Sequence, residues 1–166
     1  MRRSASILAA LLPSVAGVLP GQEQPIAIKD APTAVIQNVT TRFPSATIAG
    51  VSKETEDGTL VYEVTLKQDG RNIDVTTTPS GQLTLIEKEI ARRDLPASVS
   101  KLISARYPRA TYKFVEAVTS VTGSTETLSF YEVLIVDAKK QTLELEVATD
   151  GSAILKVEKK KKAEAD

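Results

Sequence analysis

The side chains of this chain that could do chemistry are few in kind. Neither histidine nor cysteine occurs in its 166 residues. That removes the commonest general base, the thiolate nucleophile and the softer metal ligands. Carboxylates, lysines and hydroxyls remain. Ser98-Val99-Ser100-Lys101 has the serine-x-x-lysine spacing by which a lysine near a helix start activates a serine for acyl transfer. The companion Ser-Asp-Asn and Lys-Thr-Gly motifs are absent, and Val99 belongs to an apolar stripe, so the four residues read as a solvated helix face. Carboxylates recur as Glu54, Glu56 and Asp57 and as Glu144 and Glu146, and the latter pair shares one face of a strand and could hold a hard cation. Alternating glutamates are also what the solvent side of a strand looks like. No Gly-rich phosphate loop or dinucleotide fingerprint is present. Asn38-Val39-Thr40 matches a glycosylation sequon but falls inside a predicted helix and reads as chance. The sequence therefore assigns no catalytic, cofactor-binding or metal-ligating residue, and the chain is expected not to be an enzyme.

The elements that would carry any site can be read in order. Met1-Arg2-Arg3, the apolar run Ile7 to Leu12 and the small residues Ser14-Val15-Ala16 have the layout of a secretory signal, with cleavage expected after Ala16. The apolar run is too short to span a bilayer. Charges balance at 21 basic and 21 acidic residues, so no global field draws the chain to nucleic acid or to anionic lipid. Loss of Arg2 and Arg3 would leave the product slightly acidic. The expected location is the periplasm or the outside of the cell, where a cysteine-free chain carries no redox dependence.

The rest of the chain matches itself. Asp30-Ala31-Pro32 corresponds to Asp94-Leu95-Pro96, and Arg42-Phe43-Pro44-Ser45-Ala46-Thr47 to Arg106-Tyr107-Pro108-Arg109-Ala110-Thr111. The Tyr62-Glu63-Val64 centre returns at Tyr131-Glu132-Val133. Each copy opens on a helix begun by proline, with an apolar face of Val35, Ile36, Val39 and Phe43 in one and Val99, Leu102, Ile103 and Tyr107 in the other. Pro44 and Pro108 stop the helices. The period then changes to two, with Asp-Gly and Ser-Gly turns between alternating segments, which predicts antiparallel hairpins. The expected fold is α+β: a tandem repeat of one helix packed on an antiparallel sheet of about four strands, with the two sheets joining or packing into one body. The expected boundaries are a signal peptide over 1–16, a linker over 17–29, repeats over 30–90 and 91–158, and a charged tail over 159–166. Glu89 to Arg93 would connect the repeats, and the Lys159 to Lys162 run reads as a solvated chain end.

The helix ending in Arg-Phe-Pro or Arg-Tyr-Pro, the following Ala-Thr, the Asp-Gly turn, Tyr-Glu-Val and the closing turn resemble the PepSY-like domain, a group similar to the tandem beta-lactamase inhibitory protein. The resemblance implies secretion, a helix on an antiparallel sheet and protein binding through an open sheet face. It implies no catalytic residues.

One asymmetry suggests where binding would occur. On the Tyr-Glu-Val strand of the first copy the outward positions are Glu63, Thr65 and Lys67, whereas the second copy places Phe130, Leu134 and Val136 there. An apolar outer row must be covered by the rest of the chain or offered to a partner. Phe130, Leu134 and Val136 are thus the candidate partner surface, for another exported protein or peptide. The rival expectations are a structural or self-associating envelope protein and a cation-binding protein.

Overall fold

A computed structural model describes residues 23–56 and 58–160. The chain runs β1 (Gln24–Ile26), a 3-10 turn, α1 (Thr33–Arg42), β2 (Thr47–Glu56), β3 (Thr59–Gln68), β4 (Arg71–Thr77), β5 (Leu83–Glu89), a second 3-10 turn over Arg92–Asp94, α2 (Ala97–Arg106), β6 (Thr111–Thr122), β7 (Thr125–Val136), β8 (Thr142–Ala148) and β9 (Ile154–Lys159). All nine strands form one antiparallel sheet in chain order, β1 to β9.

This corrects the expected fold. In place of two helix-on-sheet units, the described residues form a single nine-stranded antiparallel sheet carrying two short helices of 10 residues each. The join is made by β5 and β6, which pair from Leu85↔Ser120 to Glu89↔Glu116, and Ile90 N–H extends the ladder to the Val115 carbonyl at 2.9 Å. Glu89, expected in a connector, is the last residue of β5. The physical reason is the strand edge: β5 and β6 would each expose a row of unpaired amide groups, and pairing them satisfies both. β1, in the stretch expected to be a linker, pairs with β2 through Gln24↔Lys53, Pro25↔Ser52 and Ile26↔Val51.

Both helices lie on the same face of the sheet. Pro32 and Pro96 precede them with closely similar backbone angles (φ −57°, ψ 135° and φ −53°, ψ 141°), and Phe43 and Tyr107 end them before the next proline. Val35 and Val39 of α1 pack on Val51, Val64, Leu66, Ile73, Val75 and Ile86, with Tyr62 alongside. Val99 and Ile103 of α2 pack on Val115, Val133, Ile135, Leu143, Leu145 and Val147, with Tyr131 alongside. These inward residues alternate along each strand, which leaves the intervening ones on the opposite face. Gly81 and Gly151 fix how closely the turns approach the helices. Both have positive φ, and a Cβ would stand 2.4 Å from the Ala34 carbonyl oxygen in one and 2.5 Å from the Ser98 carbonyl carbon in the other.

Candidate functional site

The face away from the helices carries the unusual chemistry. Register puts Glu63 of β3 opposite Ser52 of β2 and Thr76 of β4, and Asp74 of β4 between Thr65 and Glu87. Glu87 of β5 then pairs with Val118 of β6, one step along β6 from Glu116, which stands between Glu89 and Glu132. Glu132 of β7 in turn faces Glu146 of β8. Five successive strands thus place a carboxylate on one face, in a diagonal band from Glu63 through Asp74, Glu87 and Glu116 to Glu132.

No element among the described residues is stacked on this face, yet several of its side chains are hidden from water. Val118 is 0% exposed, Val61 6%, Ser52 5% and Glu116 5%. Longer side chains on neighbouring strands shelter these residues, and this side of the sheet is the hollow face. The register breaks between Ile48 and Gly50, Thr76 and Thr77, Tyr112 and Phe114, Val118 and Thr119, and Glu146 and Val147, positions at which a bulge disrupts the ladder.

Burial in the hollow sets the electrostatics. Loss of water, followed by the nearby Asp74 charge, pushes the Glu63 carboxyl from 4.5 to about 8. The same two causes, in that order, raise Glu87 to about 7. Burial and then Glu87 and Glu132 raise Glu116 to about 8. Glu132 is driven upward by burial and then by Glu144. Asp74 is raised chiefly by burial, against the opposing effect of Thr65. Cations meet the band at its margins: Lys67 of β3 lowers the Asp74 carboxyl against its burial, Lys156 Nζ is 3.2 Å from Glu146 Oε1, and Lys160 Nζ is 2.6 Å from Glu144 Oε1. Ser52 Oγ is buried without a hydrogen-bond partner, on the strand position opposite Glu63.

The structure places Phe130, Leu134 and Val136 together on this hollow face, each half-buried. Phe130 stands between Val118 and Ala148, Leu134 between Phe114 and Glu144, and Val136 between Thr111 and Thr142. The Glu116–Glu132 pair is thereby bracketed by two apolar pairs, Val118–Phe130 and Phe114–Leu134. Other residues considered from the sequence are not gathered into a site. Ser98 and Lys101 lie exposed on α2, while Val99 between them is fully buried. Asn38 has a structural task, its Nδ2 donating to the Gly81 carbonyl at 2.9 Å. Glu144 and Glu146 are held by lysines. Among the described residues no group of three or more metal-ligating side chains comes together. On the helix face one cleft, of about 370 Å³, lies beside Arg42, Phe43, Ile73, Ile86 and Glu126, and a second, of about 520 Å³, beside Asn38, Gly81, Leu83 and Val121.

Sequence reading missed the carboxylate band because its members are scattered over the chain from Glu63 to Glu132. Each is visible as the outward residue of an alternating strand. What brings them together is the order of the strands across the β5–β6 join, and no local pattern encodes that.

Residues 31–78, from the start of α1 to the end of β4, match the family described as Peptidase propeptide and YPEB domain, PepSY. The match bears out the PepSY resemblance for the first copy and does not extend to the second. In fold the chain is similar to a BLIP-like protein from Bacteroides fragilis, with a TM-score of 0.56 and 17% identity over 78% of this chain and 86% of that one. It is similar also to a DUF2874 family protein from Bacteroides uniformis (TM-score 0.61, 16% identity, 78% and 89% covered). A third neighbour is a candidate periplasmic protein from Bacteroides eggerthii (TM-score 0.62, 15% identity, 78% and 88% covered). No curated protein matches the sequence. The expected periplasmic or secreted location agrees with the description of that third neighbour. No helix among the described residues is long and apolar enough to cross a membrane.

Proposed function

We propose that this chain is an exported, non-enzymatic module that binds a protein or peptide in the hollow of its sheet, with Phe130, Leu134 and Val136 in the contact surface. The observation that carries this reading is the pair of apolar contacts, Val118–Phe130 and Phe114–Leu134, on a sheet face over which no described element is stacked. Apolar side chains on an unstacked face serve contact with something else. The PepSY match and the BLIP-like fold neighbour support protein binding, and the absence of histidine and cysteine supports a role without catalysis. Export rests on the signal layout of residues 1–16, which lie outside the described residues. Amino-terminal sequencing of the exported protein is expected to begin at Gly17.

Leu134→Glu tests the binding reading. It adds a charge beside Glu144 on the hollow face without touching the packing under either helix. The variant is expected to stay folded and to lose a cross-linked partner captured from the exported fraction. Retention of the partner by a folded Leu134→Glu protein overturns the reading.

A further inference from the structure

Resting on that reading, we infer that the hollow face is built for a cationic segment of the partner: an extended stretch of chain carrying lysine or arginine at alternate positions, laid diagonally across β3 to β7. The first argument is charge complementarity. Glu63, Asp74, Glu87, Glu116 and Glu132 occupy five adjacent strands, whereas the lysines on this face sit at its margins: Lys67 near the end of β3, and Lys156 and Lys160 at β9. Asp74, Glu23, Glu87 and Glu54 lie near enough to act on Glu63; Glu116 stands between Glu89 and Glu132; and Glu132 stands opposite Glu146, with Glu144 and Glu87 near it and Lys160 opposing them. Like charges crowded in a hollow, compensated only in part by the lysines at its margins, favour a cation from outside.

The second argument is an unused polar atom. Ser52 is 5% exposed, and its Oγ has no partner although it stands beside Glu63. A buried hydroxyl without a hydrogen bond is costly, and an ammonium or guanidinium on Glu63 would supply the missing donor. The third is shape. The apolar pairs flanking Glu116 and Glu132 suit the hydrocarbon stem of a lysine or arginine whose charged end reaches the carboxylates. With strands about 4.8 Å apart and residues of one face about 7 Å apart along a strand, the diagonal from Glu63 to Glu132 is roughly 20–25 Å. That is the length of about seven extended residues.

Isothermal titration of the purified protein with three octapeptides, (Lys-Ser)4, (Gln-Ser)4 and (Glu-Ser)4, at pH 7.5 tests this. Only the lysine peptide is expected to bind, with release of protons seen as a heat that changes with the ionisation enthalpy of the buffer. Its affinity is expected to fall at least tenfold in the Glu116→Gln/Glu132→Gln variant, whose folding is checked by its melting temperature. Should that pair fail to fold, Glu63→Gln serves in its place. No heat with the lysine peptide up to millimolar concentration, equal binding of the glutamine peptide, or lysine binding indifferent to these substitutions overturns the inference. So does calcium alone reproducing the same proton release and displacing the peptide, which would make the band a divalent-cation site. Each of these outcomes leaves the broader binding reading standing on its own test, since loss of the exported partner from Leu134→Glu does not depend on the charge of the peptide.

Discussion

The two faces of the sheet follow opposite physical rules although the same strands make both. Under the helices, Val64, Val75, Val99, Val133, Leu145 and Val147 are fully buried, and each contributes to folding by leaving water. In the hollow, Glu63, Asp74, Glu87 and Glu132 are half-buried and Glu116 is buried, with only partial compensation from lysines at the margins. One face is shaped by stability. The other holds groups that folding alone would not select, and such groups are concentrated where a protein meets a ligand. Variants that act on one face and not the other can break or sharpen this comparison.

The largest effects are expected under the helices. Ile103→Ala removes a fully buried side chain from the contact between α2 and β6 to β8 and should cost about 2–5 kcal/mol, measured by denaturant unfolding. Gly151→Ala should cost about as much as an overpacked core position, roughly 1–3 kcal/mol, because its φ of 73° is strained for alanine and the new Cβ meets the backbone of Ser98. A loss well under 1 kcal/mol in both variants would show that the helices are dispensable covers and would undo the contrast between the faces.

The helix face was largely legible in the sequence. The stripe of Val35 and Val39, its counterpart of Val99 and Ile103, and the strand alternation around Tyr62 and Tyr131 are local patterns, and local spacing decides them. The sequence correspondence between the halves also survives in detail, in Pro32 and Pro96 at the helix starts and in Gly81 and Gly151 against the helices. It left the architecture undecided, because a repeated sequence does not say whether its sheets join edge to edge or pack face to face. That choice is made by hydrogen bonds between Leu85–Glu89 and Glu116–Ser120, residues with no special composition. The hollow face was half legible. Phe130, Leu134 and Val136 stood out as apolar residues at outward positions, whereas Glu63 resembled any solvated glutamate until register placed it beside a buried Ser52.

A middle-sized effect separates the faces by pH. Glu63, Glu87 and Glu116 have folded values of about 8, 7 and 8 against an ordinary 4.5, so the folded protein holds more protons than the unfolded chain between those limits. Stability should therefore be greatest near pH 4.5 and fall as pH rises toward 8, then level off. Asp150 is shifted downward and acts only below its ordinary 3.8, and Lys156 and Lys160 are shifted upward from 10.5, so neither kind opposes the trend within this window. Glu116→Gln should raise the melting temperature by a few degrees at pH 8.5 and leave it nearly unchanged at pH 4.5. A melting temperature that climbs from pH 5 to pH 8 would show that the hollow carboxylates are not held against their charge.

The smallest effect concerns a contact on neither the core nor the hollow. Arg42 at the end of α1 reaches across to the hairpin between β6 and β7, its Nε donating to Glu126 Oε1 at 2.9 Å and its Nη2 to Oε2 at 3.0 Å. The pair joins the first helix to the second half of the sheet, but both side chains are more than a third exposed, at 46% and 38%. A two-pronged geometry favours the interaction, and water and salt weaken it, so Arg42→Ala should cost only about 0.5–1 kcal/mol and less at high ionic strength. Amide hydrogen exchange gives the sharper readout. Thr122 to Thr125, at the tip of the hairpin, should exchange faster in Arg42→Ala, while the ladder from Leu85↔Ser120 to Glu89↔Glu116 stays protected. If protection is lost along that ladder as well, the ion pair rather than the strand pairing holds the two halves together, and the nine strands would owe their continuity to a surface contact.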